Sequence, residues 1–133
     1  MRALLVAVAL LLASCTSALQ VHANVVVDAR AVVNDIGRKL NAEAAREYSA
    51  ADAAHKPAIV AKLDPVFQGY ELVQTALDRY AAAIRDAEAH GNLGPVTDAA
   101  AKLVKVWSQI DGAGASVGFH FPVPPPALVK LSE

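Results

Sequence analysis

The chain has 133 residues and a formal net charge of −1, from 12 Lys+Arg against 13 Asp+Glu. That length allows one core, with no room for a two-domain enzyme built around an interdomain cleft. The near-neutral charge excludes a dedicated nucleic-acid binder, which carries a basic excess. A single Cys excludes an internal disulfide and any multi-Cys metal site. Apolar residues make up 55% and aromatics 5% of the chain. Ala occupies 29 positions, which favours helix.

Met1-Arg2 is a minimal positive start, and Ala3 to Ala13 is an unbroken apolar run. A membrane-spanning helix needs about 20 such residues, so this run fits the apolar region of a secretory signal peptide instead. It closes on Leu12-Ala13-Ser14-Cys15. These four residues resemble the lipobox of bacterial lipoproteins: Leu, two small residues, then the modified Cys. The resemblance covers the leader alone. It implies that a diacylglycerol joins the Cys15 sulfur, that leader 1–14 is cut after Ser14, and that the new amino group takes a further chain such as palmitate. Each buried CH₂ contributes about 0.8 kcal/mol, and a second or third chain turns marginal binding into stable anchoring. Thr16, rather than Asp, after the Cys implies the periplasmic side of the outer membrane in a diderm cell. The competing readings are cleavage after Ala18, at Thr16-Ser17-Ala18, and an uncleaved leader. Lipidation also accounts for an unpaired Cys in an exported protein.

The mature chain, Cys15–Glu133, reads as helical. Leu19, Val26, Val33 and Leu40 fall seven apart, with Ile36 on their face and Val25 and Val32 widening it. This pattern predicts a first helix over about 17–53. Asp35–Lys39 and Asp52–Lys56 are favourable i,i+4 pairs, and Gly37 is a local weakness of about 1 kcal/mol relative to Ala.

A second helix, about 57–90, carries the stripe Ile59, Leu63, Val66, Tyr70, Val73, Leu77, Tyr80, Ile84 and Ala87 in alternating steps of four and three. Pro65 predicts a kink or short break. His90-Gly91 is a basic last turn before a capping glycine. After the turn at Asn92-Leu93-Gly94, a third helix over about 95–111 carries Val96, Ala100, Leu103, Trp107 and Ile110, with Asp98–Lys102 as a further pair.

Gly112 to Gly118 lacks the Lys-Ser/Thr of a phosphate loop and follows no strand, so it reads as a flexible joint. In the tail, 115–133, Phe119, Phe121 and Val123 predict an extended stretch. Pro124-Pro125-Pro126 is polyproline-like, and Ala127 to Leu131 makes a closing helical turn. The expected fold is all-α: an antiparallel three-helix bundle over 15–114 with the proline-rich tail packed on it. At 1.5 Å per residue the first two helices run roughly 50 Å and the third about 27 Å. The third helix therefore covers only part of the hairpin, leaving the rest to the tail or to a partner.

Catalytic signals are weak. His22, His55, His90 and His120 form no metal-spacing pair and no HExxH. His22 reads as a partly exposed residue at the edge of the first stripe, and His90 as a favourable charge at a helix end. Glu43 and Glu47 read as a solvated face beside Arg46. Ser14 and Ser17 have no base partner. Tyr70, Tyr80 and Trp107 read as core. No catalytic, cofactor or metal residue is expected, which leaves Cys15 as the one candidate site.

The lipobox, the compact Ala/Val-rich helices and the short proline-containing tail together resemble the small helical lipoproteins of phages and prophages. That resemblance implies a role at the envelope during infection or lysogeny, including exclusion of a second phage. The leading expectation is a non-enzymatic, membrane-anchored module that binds a protein partner, by a bundle face or by Pro124-Pro125-Pro126, or that associates with itself. An envelope spacer or accessory subunit is the structural version. A spanin-like lysis protein fits less well, because those mature chains are shorter and proline-rich throughout. The alternative is a periplasmic binder of a small apolar ligand, with a cavity lined by Tyr70, Leu77 and Trp107.

Overall fold

The computed structural model describes residues 2–115, 119 and 121–133, with side chains described from Ser17 onward apart from those at 111, 113 and 115. Four helices follow in order: α1 (Arg2–Ala50), α2 (Lys56–His90), α3 (Gly94–Ala115) and α4 (Pro126–Leu131). There is no strand among the described residues. The fold is the expected all-α bundle, with the tail packed on it.

Helix α2 is central. It packs on α1 and on α3, while α4 packs on α3 and reaches α1. Contacts between α1 and α2 run in opposite senses: His22 meets Tyr80, Arg30 meets Asp78, and Tyr70 meets Val33. The two helices are therefore antiparallel, as the short connection at 51–55 requires.

The four-three stripes form the core. All five apolar stripe residues of α3 are buried, and Leu63, Val66, Val73, Leu77, Tyr80, Ile84 and Ala87 are buried on α2. On α1 the buried set is Leu19, His22, Val25, Ala29, Val33, Ile36 and Leu40, so Val25 rather than Val26 carries the inner face. Phe121 and Leu128 of the tail complete the cluster.

Several local expectations are corrected. The first helix does not begin near Ser17: its backbone runs unbroken from Arg2 and ends at Ala50. Pro65 lies inside α2, so the short break, one of the two outcomes expected there, does not occur. As the tenth residue of the helix, it removes one hydrogen bond from a helix whose inner face is held by core packing on both sides. Helix α3 continues through Gly112 and Gly114 to Ala115, so that part of the supposed joint is helical; Ser116–Gly118 lie outside the described residues. Asp52 bonds the backbone N–H and ring of His55, while Lys56 sits 4.8 Å over the Tyr48 ring. The α2 terminus is as expected: Gly91, at φ 75°, donates its N–H to the Ala87 carbonyl at 2.7 Å.

Gly37 is more than a weak point in a helix. A Cβ there would lie 2.2 Å from the Tyr70 hydroxyl and 2.8 Å from Cζ. The missing side chain lets Tyr70 cross onto α1 and donate to the Val33 carbonyl at 3.1 Å. Gly37→Ala should therefore destabilise the bundle: overpacking costs about 1–3 kcal/mol, against a helix-propensity gain of about 1 kcal/mol. Urea unfolding followed by circular dichroism measures the net sign. The loss should shrink when Tyr70→Phe removes the nearest atom. A net gain in stability would defeat this account of Gly37.

Candidate functional site

Cys15 lies on the backbone of α1, and its side chain falls outside the described set. One turn further along is Leu19, the first described core residue, and the next inward-facing residue is His22. The structure corrects the reading of His22 as a partly exposed edge residue: it is 6% exposed, the one buried polar side chain among the described residues. Its Nδ1 is hydrogen-bonded to the hydroxyl of Tyr80, which is fully buried on α2. The rings meet edge to face, with centroids 5.6 Å apart and planes at 82°.

Burial pushes the His22 imidazole below its ordinary value of 6.5 and pushes the Tyr80 hydroxyl up to about 12. Both shifts have one cause, the cost of placing charge among apolar neighbours. Tyr70, half-buried, is raised for the same reason. The sequence did hold a signal for this pair: His22 follows Leu19 by three and precedes Ala29 by seven, on the stripe itself. No sequence rule marks Tyr80 as its partner.

Two of the surface grooves differ in chemistry. One, of about 600 Å³, lies between α1 and the tail and is lined mainly by Val32, Ile36, Phe119, Phe121 and Pro122. Asp35 and Lys39 stand on its rim, 2.9 Å apart, and the Lys39 ammonium holds the Asp35 carboxyl below its ordinary value. The other, of about 340 Å³, lies between α1 and α2 and is polar, with Arg30, Asn34, Glu71, Gln74 and Asp78 around Val33 and Leu77. The expected cavity shared by Tyr70, Leu77 and Trp107 is not present among the described grooves: each of the three lines a different one. They point to different sides because Trp107 turns to the tail, where its Nε1 donates to the Pro122 carbonyl at 2.9 Å.

The remaining candidates stay apart. His55 and His90 are exposed and pair with Asp52 and Asp86 of their own segments; His120 lies outside the described residues. Glu43 is engaged by Arg46, and Glu47 has one buried oxygen without a hydrogen-bond partner. Ser17 is exposed at the start of the described side chains. Pro124 and Pro125 are half-buried, and Pro126 opens α4. Among the described residues, no three His, Cys, Asp or Glu side chains are placed to hold a metal, and no helix is long and apolar enough to cross a membrane.

Comparisons with family models, with curated proteins and with solved structures give no match to this chain.

Proposed function

We propose that this chain is an exported, lipid-anchored envelope lipoprotein that works without catalysis, as a protein-interaction or structural module. The observation that carries the reading is the sequence Leu12-Ala13-Ser14-Cys15 closing an apolar run too short to span a bilayer. The fold is compatible with the processing this implies. The described core, from Leu19 to Leu128, is built from residues of the mature chain. Lipid on Cys15 would sit one helical turn from the packed body and hold it close to the membrane surface. Thr16 directs the reading to the outer membrane of a diderm cell, and the lipobox with its compact helical body supports a phage or prophage origin.

The test is intact mass and amino-terminal peptide analysis of the full chain, expressed in a diderm bacterium and separated into membrane and soluble fractions. The expected species is membrane-borne and begins at an acylated Cys15, and Cys15→Ser should abolish both features. An unmodified soluble species beginning near Leu19 would overturn the proposal.

A second reading, the binding of a small apolar ligand, is favoured by the groove between α1 and the tail. It expects saturable binding of an apolar fluorescent probe that is lost on Ile36→Lys in a folded variant. Probe binding unaffected by that change would remove the reading.

A further inference from the structure

We propose that the hydrogen bond between His22 and Tyr80 is an acid-sensitive latch that holds the Cys15-proximal end of α1 against α2. The argument begins with proton inventory. Tyr80 is fully buried, and among the described residues His22 Nδ1 is its one hydrogen-bond partner. The Nδ1–hydroxyl contact is satisfied when the imidazole is neutral with its proton on Nε2, because the hydroxyl then donates to Nδ1. A second proton turns Nδ1 into a donor. The hydroxyl must rotate to accept from it, and its own hydrogen then points into an apolar wall. Protonation therefore leaves a buried donor unpaired and places a cation in the core, two costs of the same sign.

Among the described residues, no charged side chain is buried with the pair to offset them. On α1 the nearest charged side chains along the chain, Asp28 and Arg30, are exposed, and Arg30 is engaged by Asp78 at 3.2 Å. On α2, Asp78 and Arg79 flank Tyr80 and are exposed, as is Lys130 on α4. On α3, Asp98 and Lys102 are exposed. The stripe neighbours of Tyr80, Leu77 and Ile84, are apolar and buried. The direction of the His22 shift agrees, with burial its one cause.

The sign follows from linkage. A histidine whose value is depressed on docking leaves the docked state at full strength above 6.5. As pH falls below 6.5 the undocked segment takes up a proton that the docked one refuses, and docking weakens down to the depressed value. The latch stands on the fold alone and does not require lipid on Cys15. Where Cys15 is lipidated, which rests on the function proposed above, an open latch frees the first turns of α1 and lengthens the tether.

The test uses the full chain carrying Cys15→Ser, so that lipidation plays no part in the result. Amide exchange of 17–28, corrected for intrinsic rate, is compared at pH 7.5, 6.0 and 5.0 with the same chain carrying His22→Phe and Tyr80→Phe together, which removes both polar partners. The chain with His22 should lose protection by up to about tenfold per pH unit below 6.5, and the double variant should not. The His22 ring proton should also titrate below 6.5 in the chain with His22 intact, a measurement that needs no variant to fold. Equal pH dependence in both chains, or a His22 midpoint at or above 6.5, would overturn the latch.

Discussion

Trp107→Ala is expected to remove about 3–5 kcal/mol of stability, the range for truncating a large buried aromatic. Trp107 is 1% exposed and one of the largest fully buried side chains. It spans the seam where α3 meets the tail, with Phe121 and Pro122 against it. Removal opens a cavity that Leu103 and Ile110, themselves buried one turn to either side, cannot close without moving α3. The lost Nε1–H···O bond to Pro122 adds less, because Pro122 is exposed and water can take over its carbonyl. Trp107→Phe should therefore cost much less than Trp107→Ala. The chain has one Trp, so unfolding must be followed by far-ultraviolet circular dichroism rather than by emission. Small domains hold about 5–15 kcal/mol in total, and the Ala variant should unfold well below the parent midpoint. A loss under about 1 kcal/mol would mean that Trp107 does not pack as described.

Leu128→Ala should cost about 2–5 kcal/mol, unless the tail leaves the bundle altogether. Leu128 is fully buried and is the one buried residue of α4. A helix of six residues has no stability of its own in water, so α4 exists because Leu128 docks. The cost of losing that side chain is therefore capped at the free energy of docking the whole tail. Deleting 119–133 measures the cap. In the deletion Trp107 loses its Pro122 partner and its cover, so its emission should shift to the red, with Ile36 bared on the α1 side of the seam. A truncated chain with unchanged emission and unchanged midpoint would show that the tail is not part of the core. A Leu128→Ala chain that matches the deletion in both readouts would show that the tail docks as a unit.

Much of this packing was legible in the sequence, and the reason is periodicity. Val96, Ala100, Leu103, Trp107 and Ile110 are all buried, as their spacing requires. On α2 the same spacing holds except at Ile59 and Tyr70, which are only half-buried. Ile59 lies near the helix start, and Tyr70 reaches sideways over Gly37. That reach depends on a glycine in another helix, which no one-dimensional pattern contains. Val123 shows the limit of alternation: it follows Phe121 by two, yet it is 79% exposed. Pro122 and Pro124 flank Val123, and an extended tail has no sheet to enforce a face.

The candidate site was legible in a different way. The residues that lead to Cys15 are a processing signal, read as a string of residue types, so their meaning does not depend on how the chain folds. The His22–Tyr80 contact is the opposite case. Each residue lies visibly on a stripe, but their pairing depends on the register of α1 against α2, which the stripes leave free to slide by whole turns.

The seam between α1 and the tail also bears on how the chain comes apart. The α2–α3 hairpin closes over the short turn at 91–93, whereas Phe121 and Pro122 must meet Val32 and Ile36, roughly 90 residues earlier, and closing a longer loop costs more entropy. Contacts of that reach tend to form after the local hairpins and open before them. Trp107 emission watches the tail through Phe121 and Pro122, which line this seam and the one with α3 alike, while circular dichroism watches the long helices. The two signals should then not coincide on a denaturant axis: the tryptophan should report exposure first, while most of the helix is still standing.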